Sequence, residues 1–82
     1  MFARILWKTI GGFAVIKLIL NEYIDQNNIT RYELSKRTGI MFPIIDNYYK
    51  NKVVRYDSYV LNRICDALGC EISDIIRYEK LD

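Results

Sequence analysis

The stretch ITRYELSKRTGIMFPIIDNYYKNK, residues 29–52, decides how this chain folds. The spacing of Thr30 and Glu33 predicts a capping box, in which the Thr30 hydroxyl accepts from the Glu33 amide and the Glu33 carboxylate reaches back to the Thr30 amide. A helix therefore begins at Arg31. Gly39 is expected to end it, because glycine readily adopts the positive φ needed just past a helix.

The second half of the stretch contains a proline that fixes the start of another helix. Pro43 lacks an amide hydrogen and is tolerated only in the first turn, so the helix begins at about Phe42 or Pro43. Asn51 tolerates the left-handed conformation and is expected to end it. The sequence thus predicts two short helices, about 31–38 and 42–50, joined by a three-residue glycine turn.

Small and apolar side chains fall where two such helices would cross. Ser35 is small enough to sit at the crossing, and the apolar positions between the helices are Leu34, Ile40, Ile45 and Tyr48. This pattern is typical of a DNA-binding helix-turn-helix. A helical hairpin with a glycine turn and no such function would give the same spacing, and it stays open as the alternative.

Three further helices are predicted around this pair. Apolar residues at helical spacing give one of about two turns from Leu20. Asp57 caps another, which Gly69 ends. Ser73 caps a fifth helix over about 74–79, whose buried position is expected to be Ile75 or Ile76.

A hairpin is predicted before the helices. Gly11-Gly12 can form its two-residue turn, since glycines supply the positive φ that such turns require. Strand alternation then places Trp7, Ile5 and Leu18 on one face. A two-stranded ribbon is marginal in water, so it must pack on the helices or on a second copy, which makes a homodimer a natural consequence. The alternative is that part of residues 1–14 is a poorly ordered leader.

The chain is accordingly divided into residues 1–19, the hairpin or leader, and residues 20–82, the helical domain. Arg4, Lys8 and Lys17 interrupt the apolar N-terminal stretch well short of the roughly 20 apolar residues that a membrane span needs. We therefore expect no membrane association and a cytoplasmic protein.

Charge is unevenly distributed. Residues 31–63 hold seven basic and three acidic residues, a net charge of +4, whereas the rest of the chain carries −2. Such asymmetry favours a polyanionic partner that faces the middle of the chain. A solvated charged surface is the alternative.

Enzymatic and metal-binding functions are disfavoured by composition. The chain has no histidine and two cysteines, Cys65 and Cys70, which excludes the usual zinc sites and Ser-His or Cys-His catalytic pairs. Both thiols are expected to be small core residues and to fit a reducing compartment. We expect no enzyme activity and no cofactor.

With these features, residues from Val15 to about Tyr78 resemble the Cro/repressor-type helix-turn-helix regulators, the lambda-repressor-like or Xre-like family. The resemblance rests on residues 29–40, on Ile45 and Tyr48, and on the segment from Leu61 to Ile76. It implies a mainly α, five-helix DNA-binding domain, here with an N-terminal β-hairpin. It also implies a sequence-specific transcriptional regulator that binds double-stranded operator DNA, with a homodimer as the expected state.

The resemblance implies which residues touch DNA. Bases are expected to be contacted from the turn and the exposed face of the following helix: Met41, Phe42, Pro43, Ile44 and Asn47. Phosphates are expected to be contacted by Arg31, Lys50, Lys52 and Arg55.

The apolar start of this helix departs from the family, which usually offers Ser, Gln, Arg or Thr there. Apolar side chains can still contact thymine methyls and Asn47 can pair with adenine, so an A·T-rich site is physically possible. The same apolar edge could instead dock a protein, as in an antitoxin or anti-regulator.

Overall fold

Helices make up most of the structure, a computed structural model that describes residues 13–81, with side chains for 15–79. Four α-helices lie between two strands, and a short 3₁₀ turn precedes the second strand. In chain order the elements are β1 (Phe13–Leu18), α1 (Leu20–Gln26), α2 (Arg31–Thr38), α3 (Phe42–Tyr49), α4 (Ser58–Leu68), the 3₁₀ turn (Ile72–Asp74) and β2 (Ile76–Leu81).

The helix boundaries follow the local signals in the sequence. The Thr30 hydroxyl accepts from the Glu33 amide at 3.0 Å, which confirms that half of the capping box. The other half is wrong, because the Glu33 carboxylate accepts from Arg37, one turn further along α2, and not from the Thr30 amide. Gly39 ends α2 at a φ of 74°, and a Cβ there would also crowd a neighbouring arginine.

The same holds for α3 and α4. Pro43 lies in the first turn of α3, and Asn51 follows that helix at a φ of 57°. The Asp57 carboxylate caps α4 by accepting from the Tyr59 amide at 2.9 Å. These predictions are confirmed.

The predicted fifth helix and its Ser73 cap are wrong. Glu71 begins a single 3₁₀ turn, in which its carboxylate and that of Asp74 each accept a backbone amide of the other's residue. The chain then forms β2, antiparallel to β1. Ile76 and Tyr78 alternate with charged residues, a pattern that suits a half-buried strand. The backbone groups of β2 find their hydrogen-bond partners in β1.

The described strand β1 therefore pairs with the C-terminal strand. Leu18 lies opposite Ile76, and Ile16 lies opposite Tyr78. The predicted pairing of β1 across Gly11-Gly12 involves residues that lie outside the described part of the chain. Leu18 itself is 1% exposed and packs against the chain's own helices, so it belongs to the core of this chain.

One hydrophobic core joins all these elements. Its members are Leu18, Leu20, Ile24, Leu34, Ile40, Ile45, Tyr48, Val60, Ile64 and Ile75. The four positions predicted between the two central helices are among them, as is Ile75. The core thus fixes α2 and α3 to α1 and α4, and leaves the outer side of α3 outside it.

Both cysteines are free and half-buried at the end of α4. Burial, and then the neighbouring thiol of Cys65, raise the pKa of Cys70 to about 11. Its thiol therefore stays protonated at neutral pH, as expected of a packing residue. In the described part of the chain, no helix has the length and apolar character to cross a membrane.

Candidate nucleic-acid interface

Hydroxyl groups fix the turn between α2 and α3. The Ser35 hydroxyl donates to the carbonyl of Ile40. The Thr38 hydroxyl donates to the Leu34 carbonyl at 2.9 Å and accepts from the Ile40 amide at 3.1 Å. Thr38 is buried, so these bonds are shielded from water. Two side chains of α2 itself thus hold the turn that leads into α3.

Helix α4 braces the same turn from outside. The Arg63 guanidinium donates two hydrogen bonds to the Thr38 carbonyl, at 2.9 and 2.5 Å. It also lies 5.8 Å from the centre of the Tyr59 ring. Arg63 therefore satisfies a carbonyl at the end of α2, which has no partner within the helix.

The outer side of α3 is exposed and largely apolar. Met41 is 70% exposed, Phe42 40% and Ile44 39%. Pro43 and Asn47 are also exposed and lie four residues apart, hence on one face of the helix. The five residues predicted to contact bases are thus all accessible, while Ile45 and Tyr48 face the core.

Two of the residues predicted to contact phosphates share one carboxylate. The Arg31 guanidinium lies 2.5 Å from one Asp46 oxygen, and the Lys50 ammonium lies 2.9 Å from the other. The pKa of Asp46 is lowered, and the hydrogen bond from Lys50 is the largest cause. Burial acts in the opposite direction and raises the pKa, whereas the hydrogen bond from Arg31 lowers it further. The carboxylate is therefore ionised at neutral pH.

An aromatic ring extends this cluster to α1. The Arg31 guanidinium lies 4.6 Å from the centre of the Tyr49 ring. The Tyr49 hydroxyl donates to Asp25 at 3.0 Å, and this hydrogen bond, with burial second, raises the pKa of Tyr49. Arg31 is thus held from two sides, by a carboxylate and by a ring face.

Lys52 and Arg55 are exposed on the loop after α3. Among the side chains of residues 15–79, no carboxylate lies within 4 Å of either. The loop is fixed at both ends, because Asn51 accepts from the Leu18 amide at 3.0 Å and the Tyr48 hydroxyl accepts from the Asp57 amide at 3.0 Å. No described carboxylate therefore competes with an external anion for these two cations.

Sequence reasoning overlooked Asp46 and Arg63. The spacing of Asp46 and Lys50, four residues apart on one helix, was a signal for their ion pair. The pairing of Asp46 with Arg31, and that of Arg63 with Thr38, join residues far apart in the chain and leave no local pattern.

A comparison with protein families agrees with this geometry. Residues 20–80 match the family model described as a Cro/C1-type HTH DNA-binding domain. Searches of curated proteins and of solved structures found no match. The match spans most of the chain and includes α2, the glycine turn and α3. The chain belongs to the family of Cro/C1-type helix-turn-helix DNA-binding domains.

Proposed function

We propose that the protein is a transcriptional regulator that binds operator DNA as a homodimer in the cytoplasm. It acts by occupying DNA, without a catalytic step, and so blocks or adjusts transcription. The observation that carries the proposal is the exposed outer side of α3, supported from behind by the core and held at a fixed angle to α2. An element so supported can enter the major groove.

Phosphate contacts provide the affinity in this proposal. Arg31 lies at the start of α2, Lys50 at the end of α3, and Lys52 and Arg55 on the following loop. Cations on either side of a reading helix can bind the phosphates that border the groove. Lys52 and Arg55 supply the larger share, because their charges are not neutralised by a described neighbour.

Base recognition in this proposal is mostly apolar. Asp46 is engaged by two cations, which leaves Asn47 as the amide best placed to pair with an adenine. Met41, Phe42 and Ile44 lie against thymine methyls, with Pro43 packed beside them. An A·T-rich half-site is the expected target.

In this proposal, residues 20–82 form the DNA-binding part together with β1, which pairs with β2, and the segment before β1 contributes to assembly. Two copies related by a twofold axis would present two α3 helices to two half-sites about one helical turn apart. The dimer would thus double the few base contacts that one copy can make.

A second candidate function is protein binding through the same edge. Met41, Phe42 and Ile44 form a cluster of exposed apolar side chains, and such clusters are common at docking sites. An antitoxin or anti-regulator would use it to hold another protein.

Selection of bound duplexes from a random DNA pool tests the leading proposal. Enrichment of an A·T-rich site with two half-sites is expected. Binding should weaken steeply with salt, and Lys52→Ala and Arg55→Ala should each reduce the salt slope by roughly one unit on all sequences. The second candidate would be favoured if no duplex is recovered and the protein instead binds a protein partner. That binding should be insensitive to salt and should be lost in Phe42→Ala.

A further inference from the structure

Asp46 lies between two cations that the proposed function assigns to DNA phosphates. It is the acidic residue of α3, and its side chain is 19% exposed. Each of its oxygens contacts a different cation, Arg31 from α2 and Lys50 from the end of α3 itself. The carboxylate therefore already engages both cations that the proposed function assigns to phosphates.

The cluster differs from an isolated surface ion pair, which contributes little. Arg31 also stacks on Tyr49, and Tyr49 is hydrogen-bonded to Asp25 of α1. Three helices thus hold the guanidinium against Asp46. Because the partners are held before DNA arrives, phosphates must compete with a carboxylate of similar chemistry for the same donors.

We propose that Asp46 determines selectivity, acting as a built-in counterion that holds Arg31 and Lys50 back from the backbone of non-target DNA. The inference rests on the proposed DNA-binding function. Asp46 is a positioning residue, since it acts through the two cations and not by touching a base.

Counterion release explains why this raises selectivity. Non-specific affinity comes almost entirely from cations that displace salt ions from phosphates. A carboxylate that accompanies two cations cancels one of their charges, and so reduces the non-specific term. At the target, the base contacts of Asn47 and the apolar edge hold the backbone against Arg31 and Lys50, which can then exchange Asp46 for phosphates. Random DNA lacks these base contacts, so Asp46 lowers its affinity more.

Replacing Asp46 by Asn removes the charge at nearly constant shape and frees both cations. On a random duplex, the salt slope should become steeper by about 0.9 for each cation that gains a phosphate, hence by about 0.9 to 1.8. The ratio of variant to wild-type affinity for random DNA should therefore depend on salt. It should be about three- to twelve-fold larger at low salt than at a fourfold higher salt concentration. The ratio of target to random affinity should fall.

Three variants make the test specific. Asp66→Asn on α4 changes net charge equally, but Asp66 is exposed and pairs with no described cation, so its slope should equal that of wild type. Asp46→Glu keeps a carboxylate and should restore a slope close to wild type. If circular dichroism shows that Asp46→Asn is unfolded, Asp46→Ala removes the same charge with a residue that favours helix more strongly.

The outcomes separate the inference from the proposed function. A steeper slope in Asp46→Asn or Asp46→Ala, but not in Asp66→Asn or Asp46→Glu, supports the role of Asp46. The inference is overturned by an unchanged slope in the Asp46 variants, by an equal change in Asp66→Asn, or by an unchanged ratio of target to random affinity, provided that Lys52→Ala still lowers the slope. If wild type binds no DNA and Lys52→Ala has no slope to reduce, the proposed function itself fails.

Discussion

At the scale of single residues, Thr38 shows how one hydroxyl can hold the turn between α2 and α3. The group is buried, donates to the Leu34 carbonyl and accepts from the Ile40 amide. The amide belongs to the turn, where no helical partner is available. Without the hydroxyl, the Ile40 amide would be buried and unpaired, which is costly.

Thr38→Val should therefore lower the free energy of unfolding by about 1 to 3 kcal/mol, although the shape is almost unchanged. Thr38→Ser, which keeps the hydroxyl and loses one methyl, should cost about 1 kcal/mol. Urea denaturation of both variants measures the difference. A larger loss for Ser than for Val would mean that the methyl, and not the hydrogen bond, stabilises the turn.

Asn47 is the residue on which polar base recognition depends in our proposal. Asn47→Ala should cost about 1 to 3 kcal/mol on the selected site and little on random DNA, since a bidentate contact with adenine would be lost. Competition binding with both duplexes provides the measurement. Equal weakening on both would indicate that Asn47 contributes to backbone affinity instead.

Replacement of thymine by uracil tests the apolar contacts of the same site, because it deletes the methyl group alone. Wild type should bind the uracil duplex more weakly than the thymine duplex, and Phe42→Ala should lose part of this discrimination if Phe42 contacts the methyl. The pair of duplexes thus provides a matched control for the protein variant.

At the scale of elements, the boundaries that sequence could predict are those with a local cause. Thr30, Gly39, Pro43 and Asp57 act on backbone groups within a few residues of themselves, so their effects were readable from the chain. The strand β2 was missed because its hydrogen bonds come from β1, at the other end of the described chain. The alternation of Ile76 and Tyr78 with charged residues was the available signal.

The candidate site divides in the same way. Exposure of Met41, Phe42 and Asn47 follows from helical spacing against the buried Ile45. The sharing of Asp46 by Arg31 and Lys50 depends on how α2 crosses α3. Such tertiary placement cannot be read from one residue type or from its neighbours in sequence.

Asn51 connects two elements, and its two roles can be separated. Its positive φ ends α3, and its side chain accepts from the Leu18 amide at the end of β1. Asn51→Gly keeps the backbone conformation and should cost about 0.5 to 1.5 kcal/mol for the lost hydrogen bond. Asn51→Ala also pays for a left-handed backbone and should cost about 1 kcal/mol more. Equal unfolding free energies for Gly and Ala would show that backbone conformation contributes little here.

At the scale of the whole molecule, the proposed function requires that two copies of the chain assemble into a dimer. In the proposed dimer, Trp7 lies in the N-terminal segment, outside the described residues. Trp7→Ala should give a monomer in sedimentation equilibrium and should weaken binding to a duplex with two half-sites more than to a single half-site. Wild type that sediments as a monomer at high concentration would contradict the dimer.

The pairing of β1 with β2 has a consequence for how the chain matures during synthesis. The contacts of α2 with α3 are close in sequence and can form early, whereas the β1–β2 ladder joins opposite ends of the described chain. On the ribosome β1 emerges long before β2, so Leu18 must wait for Ile75 and Ile76 before its part of the core closes. Helix α3 can thus form in a nascent chain whose β1 edge is still open, and the emergence of β2 closes that edge.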